Sequence, residues 1–157
     1  AKSVDVQNGY ESAMSNLLVA MSGANYIHDA AGLMEFDLTV AYEKLVTDNE
    51  ILGMCQRVLR GIEVDDDTLA ADLIIEKGPG DTYMTEDHTI QHMRDEFFMP
   101  RVANREKRDM MGENSGAWPR AHAIVDDIRT ANPTHFIPAD TAARLRDTFT
   151  AIRDVTY

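Results

Sequence analysis

Two short runs of this chain read as β-strands, and neither has a partner close by in sequence. Ala24 to His28 is apolar around Tyr26 and Ile27, long enough for a buried strand and too short for a helix. Asp81 to Met84 is its later counterpart. Each is followed by helical sequence rather than by a turn and a second strand. Strands joined through helices pair in parallel, and two of them cannot close a parallel sheet alone. The chain therefore reads as an α/β segment whose strands need partners from elsewhere. It opens without Met a few residues before a helix, as though cut from something longer.

The remaining sequence is helical by period. Gly9 to Ser22 places Tyr10, Met14, Leu17, Leu18 and Met21 on one stripe, and Gly23 is expected to stop it. Thr39 to Arg60 carries a wider apolar face (Ala41, Leu45, Leu52, Cys55, Leu59), with Gly61 as its C-cap. Asp65, Asp66 and Asp67 precede a helix running to Lys77, where negative charge favours a helix start, and Gly78-Pro79-Gly80 ends it. Glu86 to Phe98, Trp118 to Asn132 and Asp140 to Val155 complete the helices, with Pro133 and Pro138 bracketing a linker. The expected order is helix, strand, helix, helix, strand, helix and a helical tail. No internal repeat or low-complexity segment is visible.

Charge narrows the partners. The chain has 157 residues, with 15 Lys and Arg against 27 Asp and Glu, a net charge of −12. That balance repels phosphate backbones and anionic membranes, so neither nucleic acid nor membrane is an expected partner. No window approaches the roughly 18 apolar residues of a membrane span, and no signal peptide is recognisable. The single cysteine, Cys55, has no second thiol or nearby histidine and reads as a small buried hydrophobe. A cytoplasmic setting fits these features.

Polar residues gather where the two expected strands end. His28 and Asp29 follow the first; Thr85, Glu86, Asp87 and His88 follow the second. Glu86 and Asp87 serve equally well as caps of the next helix, whereas a turn has no need of the His28 imidazole. His88 and His92 stand at i and i+4, a spacing suited to a metal. Thr89 stands where a zincin motif needs Glu, and no third ligand is defined, so no metal site is expected. The acid run Glu63 to Asp67 lacks the glycine and the closing glutamate of a calcium loop, which favours a helix N-terminus. Tyr26, Phe36, Tyr42 and Tyr83 lie in or beside the strand ends, where aromatic faces can hold a quaternary ammonium or simply pack.

Several strings together resemble the trimethylamine methyltransferase family. They are Gly23-Ala24-Asn25-Tyr26-Ile27-His28-Asp29-Ala30-Ala31-Gly32, then Tyr42 to Asp48 with Glu50-Ile51-Leu52-Gly53-Met54, and Gly61-Ile62-Glu63-Val64-Asp65. Gly78-Pro79-Gly80 and Asp87-His88-Thr89 with Arg94, Glu96, Phe97 and Pro100 continue the order, and Asp5, Gln7, Gly9 and Glu11 precede it. The resemblance runs from about residue 4 to 105 and falls in the C-terminal third of much longer proteins. It departs from the family at Asp81-Thr82, where Gly-His is usual, and at Met110-Met111, where an aromatic is common.

The resemblance implies the C-terminal portion of a (β/α)8 TIM barrel, mainly helical on its own with two or three short strands. Residues 1–105 would be the last barrel units and 106–157 a helical tail packed on them. It further implies methyl transfer from a methylated amine, a quaternary one such as a betaine being favoured, to the cobalt of a corrinoid on a separate protein. In archaeal members acting on trimethylamine a pyrrolysine is present, at a position upstream of this chain. Carried over residue by residue, His28 and Phe36 are expected substrate contacts, with Gln7 and His88 secondary ones. The segment alone is expected to be inactive, its parent a homo-oligomer. The alternative from another class is a non-catalytic helical module binding a partner through the Thr39 to Arg60 face.

Overall fold

Helix α1 (Val6–Met21) begins where the Asp5 carboxylate accepts the Asn8 amide hydrogen, leaving the first turn capped. The computed structural model describes residues 1–131 and 137–149. After α1 a loop leads into a two-residue antiparallel hairpin, β1 (Leu33–Met34) and β2 (Thr39–Val40), in the register Leu33 to Val40 and Met34 to Thr39. Helix α2 (Tyr42–Arg60) follows and packs along α1. Its C-cap, Gly61, takes a φ of 73°, where a side chain would be strained.

Short helices α3 (Asp66–Leu69) and α4 (Ala71–Lys77) come next, then α5 (Asp87–Glu96), a 3₁₀ turn at Arg108–Met110, and α6 (Ala117–Thr130). Helix α7 (Ala139–Thr148) closes the described chain. Residues divide into two compact units, Ala1–Val125 and Asp126–Tyr157. Pro133, Asn132 as the expected end of α6, and the expected final helix from residue 150 onward lie outside the described residues.

Neither expected barrel strand is a strand. Ala24 to His28 is bend, coil and turn, with Tyr26 exposed, and Asp81 to Met84 is likewise coil running into a turn. A strand exists only through its ladder of interstrand hydrogen bonds, and among the described residues no strand lies beside either run. The strands that do form fall elsewhere, Thr39 and Val40 being taken from the expected start of α2. The helix expected through to Lys77 is likewise broken, because Ala70 adopts a left-handed φ of 47° between α3 and α4. The acid run does start a helix, as expected. Asp65 caps α3 in a reciprocal capping box with Thr68, whose amide holds the Asp65 carboxyl below its ordinary value.

The contact between α1 and α2 is not apolar. Most of the expected stripe faces outward: Tyr10, Met14, Leu18 and Met21 are exposed, while Leu17 is half-buried. Asn8, Ser12 and Asn16, spaced four apart, form a polar series on α1, with Asn8 only 1% and Asn16 only 5% exposed, and Ser12 faces α2. Opposite stand Lys44 and Asp48, an ion pair one turn apart on α2. Lys44 Nζ also donates to Ser12 Oγ at 3.2 Å. Apolar burial is confined to a few side chains, among them Met34, Cys55, Val102, Ala121 and Val125. Cys55 is buried as expected, and burial pushes its thiol above the ordinary range, which keeps it protonated.

Beyond residue 96 the chain is fastened to α2 by polar side chains. Glu50 accepts the amide hydrogens of Arg101, Val102 and Ala103 at 2.5, 2.6 and 2.8 Å. Arg57 and Arg60 both pair with Glu96. Phe98 lies across Gly53 so closely that a Cβ there would stand 2.5 Å from its ring. His122 on α6 stacks on Trp118, with ring centroids 5.0 Å apart, and meets Glu43 of α2 at 2.7 Å.

Candidate functional site

The loop from Gly23 to Gly32 is positioned by the polar seam. Asn16 Nδ2 donates to the Ala30 carbonyl at 3.2 Å, and the Gly32 amide donates to Asp48 Oδ2 at 2.9 Å. One end of the loop is thus tied to both helices at once. Within it Asp29 sits at a positive φ of 54°, a conformation that Asp tolerates better than most residues. Its carboxylate lies 2.6 Å from His28 Nδ1, within ion-pairing distance of the imidazole. The His28 side chain remains 73% exposed, so its other nitrogen is accessible.

Beside His28 a cavity of about 230 Å³ lies between α1 and this loop. Glu11, Ser12, Ser15 and Asn16 line it from α1, His28 and Asp29 from the loop, and Lys44 from α2. Lys44 is committed to Asp48 and Glu11 to the Ala1 amine at 2.6 Å, which leaves Asp29 and His28, themselves a pair, to face a ligand. Gln7 approaches indirectly, its Nε2 donating to Glu11 Oε1 at 2.6 Å.

Phe36 occupies the tip of the hairpin. Glu35, Phe36 and Asp37 take positive φ values of 51°, 55° and 66°, three left-handed residues in a row with no glycine among them. Such a turn costs about 1–2 kcal/mol per residue, and hydrogen bonds around Glu35 hold it. The Glu35 amide donates to the Ala1 carbonyl, the Leu38 amide to the Glu35 carbonyl, and Thr39 Oγ1 to Glu35 Oε2. The result presents Phe36 92% exposed, with its ring uncovered. Strain of this kind collects at functional positions.

His88 lies apart from the first cavity. It begins α5 and belongs to a second cavity of about 440 Å³, with Asp66, Asp67, Ala71 and Asp72. Its Nε2 donates to the Asp67 carbonyl at 2.8 Å. Of the four expected contacts, His28 lines the first cavity, His88 the second, Gln7 reaches the first through Glu11, and Phe36 lines neither. Glu86 occupies the N-cap position of α5, yet its carboxylate pairs with Lys77 at 2.7 Å instead of capping. The sequence reading passed over Ser12, Lys44, Asp48 and Glu50 as functional positions. Their signal was present, since Asn8, Ser12 and Asn16 recur at helical spacing opposite an i, i+4 acid–base pair.

This is a mostly helical α/β segment carrying a small polar groove with a histidine–aspartate pair at its rim. The chain belongs to the trimethylamine methyltransferase family (MTTB), whose profile matches residues 1–156. It is 35% identical over 129 residues to a glycine betaine methyltransferase of Desulfitobacterium hafniense (strain Y51), covering 82% of this chain and 27% of that protein. A trimethylamine methyltransferase MttB of Methanosarcina barkeri (strain Fusaro) is 34% identical over 145 residues, covering 89% of this chain and 28% of that protein. A second MttB, from D. hafniense (strain DCB-2), is 38% identical over 94 residues, covering 60% and 19%. The chain therefore spans about a quarter of the length of these relatives. All three are methyltransferases by name. Among the described residues no helix is long and apolar enough to cross a membrane.

Proposed function

We propose that this chain is the C-terminal part of a (β/α)8-barrel enzyme that transfers a methyl group from a quaternary amine of the betaine class to the cobalt of a corrinoid carried by another protein. The observation that carries this reading is the family match over residues 1–156 together with the 35% identity to a glycine betaine methyltransferase. Residues 1–105 are then the last units of the barrel and 106–157 a tail upon it. Exposed apolar side chains along α1 suit a segment that other barrel elements cover.

In this reading the corrinoid is the methyl acceptor and supplies the nucleophile, so no residue here is assigned to hold it. The protein's own work is placement and charge. A quaternary ammonium departs as a neutral tertiary amine and needs no general acid. What it needs is a cation-stabilising surface: Asp29 offers negative charge at the first cavity, and the uncovered Phe36 ring, outside that cavity, offers a separate cation–π face. His28, beside Asp29, donates or accepts a hydrogen bond at the substrate's polar end. Gln7 acts through Glu11. His88, turned onto Asp67, is left out of this set.

The test uses the full-length parent with cob(I)alamin and a panel of methylated amines, following methylcobalamin by absorbance. Methylation from one quaternary amine supports the reading and names the substrate. His28→Ala in that parent is expected to lower turnover at least about tenfold while leaving the unfolding midpoint unchanged; full turnover from the variant would remove His28 from the site. The exposed Leu45, Val58 and Leu59 of α2, within the Thr39 to Arg60 face, also suit a non-catalytic interaction module, and a well-folded parent that methylates nothing would favour it.

A further inference from the structure

We propose that Asp67, His88 and His92 form a binding site for a divalent transition metal, zinc foremost, that fastens α3 to α5. His88 and His92 lie one turn apart on α5 with ring centroids 4.4 Å from each other. Both direct Nε2 at the same residue: His88 Nε2 is 2.8 Å from the Asp67 carbonyl, and His92 Nε2 is 3.0 Å from Asp67 Oδ2. One ligand atom from each of the three residues falls within 4.8 Å of the others. A tetrahedral ion with bonds of about 2.0–2.2 Å needs ligand atoms roughly 3.3–3.5 Å apart. Small side-chain rotations close that difference. Two imidazoles and one carboxylate suit zinc, with the fourth position left to water.

Each Nε2 faces an oxygen that can only accept, so each carries its proton in the metal-free form. Binding moves that proton to Nδ1 and leaves the Nε2 lone pair for the ion, and no redox partner is needed. Access is open, since the Asp67 side chain is 68% and that of His92 31% exposed. Asp66 and Asp72 line the adjoining cavity with His88 and add negative potential that draws cations.

The place needs a fastener. Helices α3 and α4 bury no residue, and Leu69, Ile74 and Ile75 are exposed. Apart from the Asp67 contacts, the bonds between this pair and the chain that follows include the Lys77–Glu86 ion pair and the Tyr83 hydroxyl on the Gly78 carbonyl. The sequence shows two histidines and no third ligand because Asp67 lies 21 and 25 residues before them, inside an acid run. Only folding brings it across.

The test titrates Co²⁺, then Zn²⁺ in competition, into the chelator-stripped full-length parent, reading visible absorption of bound cobalt and thermal unfolding by circular dichroism. One equivalent is expected to bind, displaced by zinc, with a rise in Tm that a chelator reverses. Asp67→Asn and His92→Ala are each expected to weaken binding at least about tenfold, while His122→Gln, remote from the site, leaves it unchanged. Should His92→Ala lose helix content, the exposed Asp67→Asn decides alone. Absence of saturable binding, or equal affinity in Asp67→Asn and the parent chain, overturns the proposal and leaves these residues as a hydrogen-bonded tether.

Discussion

Asp48 shows how much one side chain carries here. It is fully buried, pairs with Lys44 and accepts the Gly32 amide, so it joins α2 to the His28 loop, while Lys44 reaches α1 at Ser12. Removing it by Asp48→Ala leaves the Lys44 ammonium buried without its counter-ion. That is expected to destabilise the chain by about 3–5 kcal/mol, whereas the double change Lys44→Met with Asp48→Leu recovers much of the loss. A double-mutant cycle in urea measures both. Equal losses in the single and double variants would show that the Gly32 hydrogen bond matters more than the ion pair. The sequence displayed Lys44 and Asp48 within a family string, yet helical periodicity weighs apolar residues and passes over a polar seam. Cys55, Gly61 and Asp65 were legible because their roles depend on immediate neighbours.

At the scale of elements, helix positions were largely legible and strands were not. Periodicity and punctuation belong to the local chain, and α1, α2, α5 and α6 begin and end within a few residues of their expected limits. Strands depend on partners, so Ala24 to His28 and Asp81 to Met84 failed where the helices succeeded. The short hairpin that does form has its turn at Glu35 to Asp37, non-glycine residues that give no turn signal. Between elements, the α2–α6 joint carries a pH dependence. The His122 hydrogen bond holds the Glu43 carboxyl below its ordinary value. A depressed carboxyl contributes stability that is fully present above its unfolded value and is lost as pH falls through the folded one. The chain is therefore expected to lose stability on acidification across the carboxylate range, and to lose less of it in His122→Gln. Unfolding midpoints at stepped pH values check this; parallel curves would detach Glu43 from the effect.

For the molecule as a whole, the outward apolar face of α1 separates the chain alone from the longer protein proposed to contain it. Leu18 is 54% exposed here. Leu18→Ser is expected to shift the stability of the 157-residue chain by less than about 0.5 kcal/mol. In the parent, where barrel elements are proposed to cover it, the same change is expected to cost about 2 kcal/mol or more. Equal small shifts in both would leave the face uncovered in the parent and favour an interaction surface. Helices that meet through grease can slide or turn against each other at little cost. Here Lys44 Nζ donates across to Ser12 Oγ, and a slide of either helix by one turn breaks that bond. The two long helices thus behave as a keyed joint. Since the loop bearing His28 hangs from that key at Ala30 and Gly32, wear in the joint would appear as a misplaced imidazole before it appeared as unfolding.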